Sequence, residues 1–183
     1  LPGSMVVEEF AATGSGRVKL VETGEEYAAA LVLPRTTGEP LMAHGSPYRG
    51  VLEVRATPNG ALTVVNVLNL EDYVRGVVPN ELSPTSFPQL EAQKAQAGAA
   101  RRYAVRNRGG YASQGYDICA TPACQLYRGR GSEHPLTDQA VEETRGIVAT
   151  YAGALINALY TSTCGGHTEN GESLFEEPAA PYL

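Results

Sequence analysis

The chain has 183 residues, of which 43% are hydrophobic and 19% charged, and its formal net charge is -6. This length allows a hydrophobic core in one medium domain or in two small ones. The acidic balance argues against a nucleic-acid groove or an anionic membrane surface as the main partner. No apolar run approaches the roughly 18 residues that a membrane span needs.

The two ends of the chain carry little information about the fold. Residues 1–5 (LPGSM) look like a cleavage remnant with an introduced methionine. No charged stretch followed by an apolar run marks a signal peptide. The final Pro181-Tyr182-Leu183 predicts a cut inside a longer protein. We therefore expect a β-rich segment over residues 6–47 and one further domain over residues 48–183, truncated at its C-terminal end.

The first third of the chain has the pattern of strands. Residues 17–33 alternate well enough for strands around a turn at residues 23–26, whereas residues 34–47, rich in Gly, Pro and Thr, predict a loop. Two β-rich runs, residues 48–55 and 62–68, flank an Asn59-Gly60 pair. Because Asn-Gly tolerates the positive φ angles of tight turns, these runs predict a hairpin.

A short helix is predicted to begin at Asn69, which can form an N-cap pair with Asp72. Apolar residues at positions i, i+3, i+4 and i+7 give this segment one buried face. They are Leu70, Tyr73, Val74 and Val77. Pro79 should end the helix near residue 77, so residues 79–84, which include Glu81, are expected to be irregular.

A long helix is predicted next, capped by Ser86 together with Gln89 and running for about five turns to Arg106. One of its sides carries mostly small residues, which predicts close packing of a neighbouring element. These are Ala92, Ala95, Gly98 and Ala99, with Tyr103 in line. Glu81 therefore lies on a short tether between two helices, which is a rigid place for one carboxylate.

The C-terminal part continues with a helix and a hairpin. Thr137 can cap a helix over residues 138–145, with Gly146 as its stop. Residues 147–151 and 154–163 predict a second hairpin across the pair Ala152-Gly153. The whole chain is thus predicted to be α+β, with central helices and a Glu81 loop flanked by β-hairpins.

Glu81 is the carboxylate that its position alone singles out. An ordinary solvated loop residue is the simpler interpretation. A chemical role needs partial burial, which raises a carboxyl pKa and lets the group donate a proton near neutral pH. On the preceding helix, Asp72 is better explained as a capping residue and Glu71 as a surface residue.

Three basic residues on the long helix could place positive charge above a site. Lys94 lies three residues after Glu91, so a surface ion pair is the simpler explanation for it. A surface position is also favoured for Arg102. For Arg101 the binding role and the structural role are evenly balanced.

Three cysteines allow at most one bridge within the chain. The spacing of Cys119 and Cys124 permits a small-loop disulfide or two of four zinc ligands, with Cys164, His167 or His134 completing the set. Free or bridged thiols are favoured over zinc, and a bridge is favoured if the protein is exported. Cys164 and His167 are too close along a strand end to form a good catalytic dyad, which disfavours a cysteine hydrolase.

Hydroxyl groups and glycines are concentrated after residue 160. The group reads either as a polar turn or as a cradle that orients a neutral sugar or amide through many modest hydrogen bonds. Its members are Thr161, Ser162, Thr163, Gly165, Gly166, Thr168 and Glu169.

Three stretches taken together resemble the stage II sporulation protein D / LytB family. They are residues 66–82 (NVLNLEDYVRGVVPNEL), 91–105 (EAQKAQAGAARRYAV) and 160–169 (YTSTCGGHTE), followed by the closing Pro-Tyr-Leu. Their order and spacing extend the resemblance from about Tyr48 to the end. It implies action on bacterial peptidoglycan, either as a lytic transglycosylase that cuts strands without stem peptides or as an enhancer of a cell-wall amidase.

The resemblance also implies site residues. The family's catalytic glutamate, which follows Pro-x, falls on Glu81, and its Ser-Thr-x-Gly-Gly element falls on residues 162–166. Substrate contacts are expected from Lys94, Arg101, Tyr103, Ser162, Thr163, Gly165 and Gly166. Arg102 stands where family members usually have Thr and adds charge close to the presumed cleft.

The implied mechanism needs one acid/base residue. Glu81 would protonate the glycosidic oxygen and then take a proton from the muramic C6 hydroxyl, which closes on C1. No cofactor is required, while zinc at Cys119 and Cys124, and with it a zinc-dependent hydrolase, stays an open alternative. Glycan strands and a cell-wall amidase are the expected partners, and the expected location is the cell envelope or outside the cytoplasm.

Overall fold

The computed structural model describes residues 8–161, 163, 165–174, 180 and 182. The predicted cleavage remnant, the predicted contact at Ser162 and both ends of the closing Pro-Tyr-Leu lie outside the described residues. The chain forms two compact units that divide between Leu68 and Asn69. No helix in the described part is long and apolar enough to cross a membrane.

The first unit consists of antiparallel strands. They are β1 (Phe10–Ala12), β2 (Val18–Leu20), β3 (Glu26–Tyr27), β4 (Ala29–Val32), β5 (Leu41–Ala43), β6 (Ser46–Tyr48), β7 (Val51–Ala56) and β8 (Leu62–Val67). The strands pair in the orders β1-β2-β3, β4-β7-β8 and β5-β6. Alternate residues Leu52 and Val54 of β7 are buried, as is Val18 of β2, so one face of β7 contributes to the core.

The predicted hairpin across Asn59-Gly60 is confirmed as β7-β8, paired from Val51↔Val67 to Ala56↔Leu62. Gly60 has φ +80°, as its turn requires. The predicted loop over residues 34–47 is wrong in part, because β5 and β6 form a hairpin there. His44 and Gly45 between them both have positive φ, 47° and 75°, the backbone that a two-residue hairpin turn needs.

The second unit combines helices with one small hairpin. Its elements are α1 (Leu70–Arg75), α2 (Val78–Glu81), α3 (Leu90–Arg106), α4 (Pro135–Glu143), β9 (Thr150–Tyr151), β10 (Ala154–Leu155) and α5 (Gly171–Leu174). The long helix α3 contacts α1, α2 and α4. Strands β9 and β10 pair across Ala152-Gly153, as predicted. Helices and antiparallel sheets together confirm the α+β class.

Helix α1 begins as its sequence predicts. Asn69 Oδ1 accepts from the Asp72 N–H at 2.9 Å, and Asn69 Nδ2 donates to Asp72 Oδ2 at 2.6 Å. Gly76 ends the helix under the ring of Tyr127. A Cβ at that position would lie 2.4 Å from the ring, so only glycine allows this close approach.

Two predictions about the stretch between α1 and α3 are wrong. Residues 78–81 are helical rather than irregular, because Pro79 occupies the first turn of α2, where a missing N–H costs nothing. Helix α3 begins at Leu90, after Gln89, with no side-chain cap. Ser86 cannot start it because Pro88 disfavours the helical region for Phe87.

The buried side of α3 also differs from the prediction. Its core residues are Gln93, Ala97, Ala100 and Ala104. Ala95 is exposed, and a Cβ on Gly98 would meet no heavy atom within 4 Å. The row of small residues that the sequence singled out is therefore not the packed side, since alanine occurs on both faces of this helix.

Helix α4 begins earlier than predicted. His134 is its N-cap, and its Nδ1 accepts from the Leu136 N–H at 3.2 Å. Thr137, predicted to cap the helix, lies buried inside it and donates to the His134 carbonyl at 2.9 Å. Pro135 at the first helical position explains the earlier start.

A buried ion pair joins three helices of the second unit. Arg101 of α3 is fully buried and Glu71 of α1 is 8% exposed. Arg101 Nε lies 2.9 Å from Glu71 Oε1, and Nη2 lies 2.8 Å from Oε2, which is a two-pronged contact. The same guanidinium donates to the carbonyls of Val141 on α4 and of Ile147 beyond it, at 3.3 and 3.1 Å. The prediction that Glu71 is a surface residue is wrong.

The charge of Glu71 is stabilised within this pair. Burial raises the pKa of its carboxyl, but the hydrogen bonds from Arg101 and from the Gly146 N–H, together with the positive charge of Arg101, outweigh burial. The pKa of Glu71 therefore lies below its ordinary value. The Glu71 carboxylate is thus ionised at neutral pH, and its negative charge compensates the positive charge of Arg101.

We predict that Arg101→Met and Glu71→Met each lower the free energy of unfolding by about 3 kcal/mol, because each leaves one buried charge without its partner. The double variant should lose clearly less unfolding free energy than the sum of the two single losses. Urea denaturation measures all three values. Arg145→Met, which removes the exposed pair with Glu142, is the matched control and should change little. A single variant as mild as this control would contradict the prediction.

Candidate functional site

Glu81 is the last residue of α2 and is partly buried. Its Oε1 accepts a 2.6 Å hydrogen bond from the backbone N–H of Leu126. The short helix itself is fixed by Asn80, whose side-chain amide donates to the Gly76 carbonyl at 2.7 Å and to Ser132 Oγ at 2.9 Å. The Leu126 N–H therefore orients the carboxylate, and the Asn80 side chain anchors the short helix that carries it.

Three tyrosines respond to the charge of this carboxylate, and we call Tyr73, Tyr103 and Tyr160 the tyrosine shell. Burial foremost raises the pKa of Tyr160 to about 12, although a hydrogen bond with Gln125 lowers it. The negative charge of Glu81 and a hydrogen bond to Glu81 add to the increase. Burial foremost, and the charge of Glu81 as a lesser cause, also raise the pKa values of Tyr73 and Tyr103. All three phenols are neutral near pH 7 and remain O–H donors.

A fully buried amide, Gln125, links the shell to α3. Its Oε1 accepts from the Tyr73 hydroxyl at 3.2 Å, and its Nε2 donates to the Ala100 carbonyl at 3.2 Å and to the Tyr160 oxygen at 3.1 Å. The carbonyl can only accept, so the amide nitrogen must face it. Tyr160 then accepts from Gln125, so its own proton is available for Glu81, with which it also interacts.

A disulfide precedes the segment that carries Gln125 and Leu126. It joins Cys119 and Cys124, whose Cα atoms are 5.6 Å apart. Of the alternatives that the spacing left open, the structure has the bridge. In this bridge neither sulfur is a thiolate, the form in which cysteine binds zinc. No group of three or more His, Cys, Asp or Glu in the described residues is arranged to hold a metal ion.

Two of the predicted basic contacts are engaged within the protein. Lys94 Nζ lies 2.7 Å from carboxylate oxygens of both Glu91 and Glu143. Its surface pair with Glu91 was the simpler interpretation of the sequence, and it is confirmed. Arg101 is buried in the pair with Glu71 and joins the helices there. Tyr103, in contrast, lies close enough to Glu81 to respond to its charge.

The predicted hydroxyl and glycine contacts lie after Tyr160. Thr163 is exposed, and its N–H donates to Thr161 Oγ1 at 3.4 Å. Gly165 and Gly166 are exposed and have φ of +66° and +90°. Tyr160, at the start of the same stretch, is the residue that reaches Glu81.

Sequence reasoning missed four members of this arrangement. Tyr160 begins the stretch at residues 160–169, so a search for aromatic side chains there could have found it. Tyr73 was assigned only to the core face of its helix. Gln125 and the Leu126 N–H lie in an irregular segment, where no periodicity marks a buried polar side chain and any residue except proline supplies an N–H.

The arrangement can support single-residue acid/base chemistry. Glu81 can hold or release a proton, while the Leu126 N–H and the Tyr160 hydroxyl keep its carboxyl group oriented. The surrounding phenols are neutral, so they position the group without adding charge. General acid/base catalysis requires both a titratable group and such fixed geometry.

Comparisons with known proteins place this chain in a family. A family model described as Stage II sporulation protein (SpoIID) matches residues 58–151, just over half of the chain. The chain is 43% identical over 167 residues to an uncharacterized protein of Brachyspira hyodysenteriae, covering 91% of this chain and 44% of the relative. No solved structure matches.

Two relatives from Bacillus subtilis carry functional names. The amidase enhancer is 41% identical over 110 residues, covering 60% of this chain and 14% of the relative. Stage II sporulation protein D is 37% identical over 135 residues, covering 65% of this chain and 38% of the relative. The chain thus spans less than half the length of these relatives. Since the family match includes α1, Glu81, Gln125 and the disulfide, this chain belongs to the stage II sporulation protein D / LytB family.

Proposed function

We propose that this protein acts on the bacterial cell wall as a lytic transglycosylase. Its substrate would be the glycan strand, cut between N-acetylmuramic acid and N-acetylglucosamine, with Glu81 as the acid/base residue. The observation that carries the proposal is the fixed position of Glu81 between the Leu126 N–H and the tyrosine shell. The relatives named stage II sporulation protein D and amidase enhancer support a role at the cell wall.

The reaction needs one proton to be given and one to be taken. Protonated Glu81 donates to the glycosidic oxygen as the bond from C1 to that oxygen breaks. The carboxylate then accepts the proton of the muramic C6 hydroxyl, whose oxygen bonds to C1 and forms a 1,6-anhydro end. Glu81 returns to its protonated state, and no water is consumed.

This reaction explains why one carboxylate is sufficient. Most glycosidases use a second carboxylate to activate a water molecule or to attack C1 directly. Here a hydroxyl of the substrate itself attacks C1. Tyr160 and the Leu126 N–H would keep Glu81 oriented between the two proton transfers, because neither contact depends on the substrate.

The exposed stretch after Tyr160 would contact the saccharide. Thr163, Gly165 and Gly166 offer a hydroxyl and backbone groups of the kind that bind neutral sugars. Tyr103 would contribute an aromatic face beside Glu81. The disulfide supports a location outside the cytoplasm, since such bridges persist in oxidising compartments.

The similarity to an amidase enhancer favours a second candidate function. The protein would then bind peptidoglycan or a cell-wall amidase and stimulate the amidase without cleaving glycan. In that case the contacts of Glu81 would serve only to hold α2 against the segment around Leu126. The two functions differ in whether the purified protein alone produces anhydro ends.

Glu81→Gln is expected to keep the fold and to lower cleavage of strands without stem peptides at least about a hundredfold, because an amide cannot exchange the proton. Glutamine can still accept from the Leu126 N–H. Mass spectrometry of 1,6-anhydro products measures the rate. Glu91→Gln, a change on the exposed side of α3, is the matched control.

Unchanged product formation by Glu81→Gln would remove Glu81 from the proposed role. Products that appear from wild-type protein only after an amidase is added would favour the enhancer function instead.

Tyr160→Phe is expected to lower kcat about tenfold with little change in KM, since it removes one hydrogen bond that orients Glu81. Steady-state kinetics on the same strands measures both constants. Tyr116→Phe removes a hydroxyl that bonds the nearby Gln114 side chain and serves as the control. Equal kcat values for Tyr160→Phe and wild type would show that Tyr160 does not position the acid.

A further inference from the structure

A disulfide closes a small loop immediately before the segment that contacts Glu81. It joins Cys119 and Cys124, five residues apart, and the residues between them are exposed. Cys124 is followed directly by Gln125, the buried amide that links the tyrosine shell to α3. Next comes Leu126, whose N–H lies 2.6 Å from Glu81 Oε1. The bridge is therefore close in the chain to the backbone group that orients the carboxylate.

Several contacts converge on Cys124. Its sulfur is bonded to Cys119, whose backbone N–H also donates to that sulfur at 3.3 Å. The Tyr111 hydroxyl lies 3.5 Å from the same atom and can donate to it, since a bridged sulfur carries no hydrogen. The Cys124 N–H donates to the Thr121 carbonyl at 2.9 Å. The bridge thus fixes the backbone that leads directly into Leu126.

The segment is anchored again on the far side of Leu126. The Tyr127 ring stacks on Tyr73 of α1, with the two ring centroids 5.2 Å apart. The Arg128 N–H donates to the Gly76 carbonyl at 3.2 Å. Leu126 therefore lies between two anchors, of which the disulfide is the first along the chain and the contacts with α1 are the second.

The bridge supports this segment without joining the helices to one another. Between the end of α3 and Cys119, a stretch that the structure describes completely, the only regular element is a 3₁₀ turn at Ala112–Gln114. The helices are held together elsewhere, by buried residues such as Val74 and Ala97 and by the pair of Arg101 with Glu71. An open bridge should therefore loosen the segment while the helices stay packed.

We propose that the Cys119–Cys124 disulfide positions Glu81 and makes activity at this site depend on oxidation. With the bridge closed, the Leu126 N–H is held against the carboxylate. With the bridge open, the segment gains conformational freedom, and Glu81 loses a contact that orients it. The part of the inference that concerns catalysis rests on the proposed function, whereas the change at Leu126 can be measured without substrate.

Opening the bridge is a two-electron reduction by a dithiol. A thiolate of the reductant attacks one sulfur of the bridge, and the other sulfur leaves and takes up a proton. The second thiol of the reductant then displaces the mixed disulfide, so that the protein gains two electrons and two protons and the reductant becomes a cyclic disulfide. Both cysteines are half-buried beside exposed residues, which gives a small dithiol access. The site would thus be ordered in an oxidising compartment and loosened in a reducing one.

Hydrogen exchange followed by NMR tests the contact in the purified protein. Reduction with dithiothreitol should lower the protection of the Leu126 N–H at least about tenfold, whereas the Ala97 N–H inside α3 should keep its protection. Reoxidation should restore the original value at Leu126. Unchanged protection at Leu126 would overturn the proposal. An equal loss at Ala97 would overturn it as well, because the bridge would then stabilise the whole unit.

Cysteine variants separate the bridge from other effects of the reductant. The double variant Cys119→Ser, Cys124→Ser should show low protection at Leu126 without dithiothreitol and should not respond to it. Cys164→Ser removes the third cysteine and leaves the bridge, so this matched control should respond as wild type does. Wild-type protection at Leu126 in the double variant would contradict the positioning role.

Activity measurements connect the contact with the proposed function. The reduced protein and the double variant should have a kcat at least about tenfold below that of the oxidised wild type, with little change in KM, because the acid is misplaced while substrate still binds. If Leu126 responds to reduction but the oxidised protein forms no anhydro product, only the transglycosylase function fails. If oxidised and reduced proteins cleave glycan strands at the same rate, the role of the bridge fails.

Discussion

The second unit depends on the ion pair between Arg101 and Glu71. Each charge is buried, so each is costly unless the other is present, and the pair forms only when α1, α3 and α4 meet in one arrangement. The site is attached to these same helices. Helix α1 continues through Gly76 into α2 and Glu81, and the Ala100 carbonyl of α3 holds Gln125. The geometry around Glu81 is therefore fixed by a contact that Glu81 does not make.

Local signals in the sequence predicted the elements whose causes are local. The Asn69 cap and the Asn59-Gly60 turn are determined by residues two or three positions apart, and both are as predicted. Predictions failed where the structure is determined by a residue distant in sequence or by a neighbour with a competing backbone preference. Glu71 is buried against Arg101, which lies 30 residues later in the chain. Ser86 does not cap α3, because Pro88 disfavours the helical region for the residue before it.

The same distinction between local and distant causes applies to the candidate site. Glu81 could be predicted from its place after Pro79 and from the family resemblance. Its surroundings could not, because Tyr73 lies 52 residues before Gln125, and Tyr160 lies 35 residues after it. The arginines Arg101 and Arg102 show the limit most clearly. They are neighbours in sequence, but successive residues on a helix point about 100° apart. Arg101 meets Glu71, whereas the nitrogen atoms of Arg102, for which the sequence favoured a surface position, are buried without a hydrogen-bond partner in the described part of the chain.

The tyrosine shell suits a residue that must change its protonation state. The phenols stay uncharged near pH 7 whether Glu81 is ionised or not, so a proton transfer by Glu81 requires no second group to titrate. A phenol oxygen also has one donor and two lone pairs, of which Gln125 uses one. Tyr160 can thus donate to the carboxylate and accept from the carboxylic acid without moving its ring. A cluster that served only packing would need neither property, whereas the acid/base role proposed for Glu81 would use both.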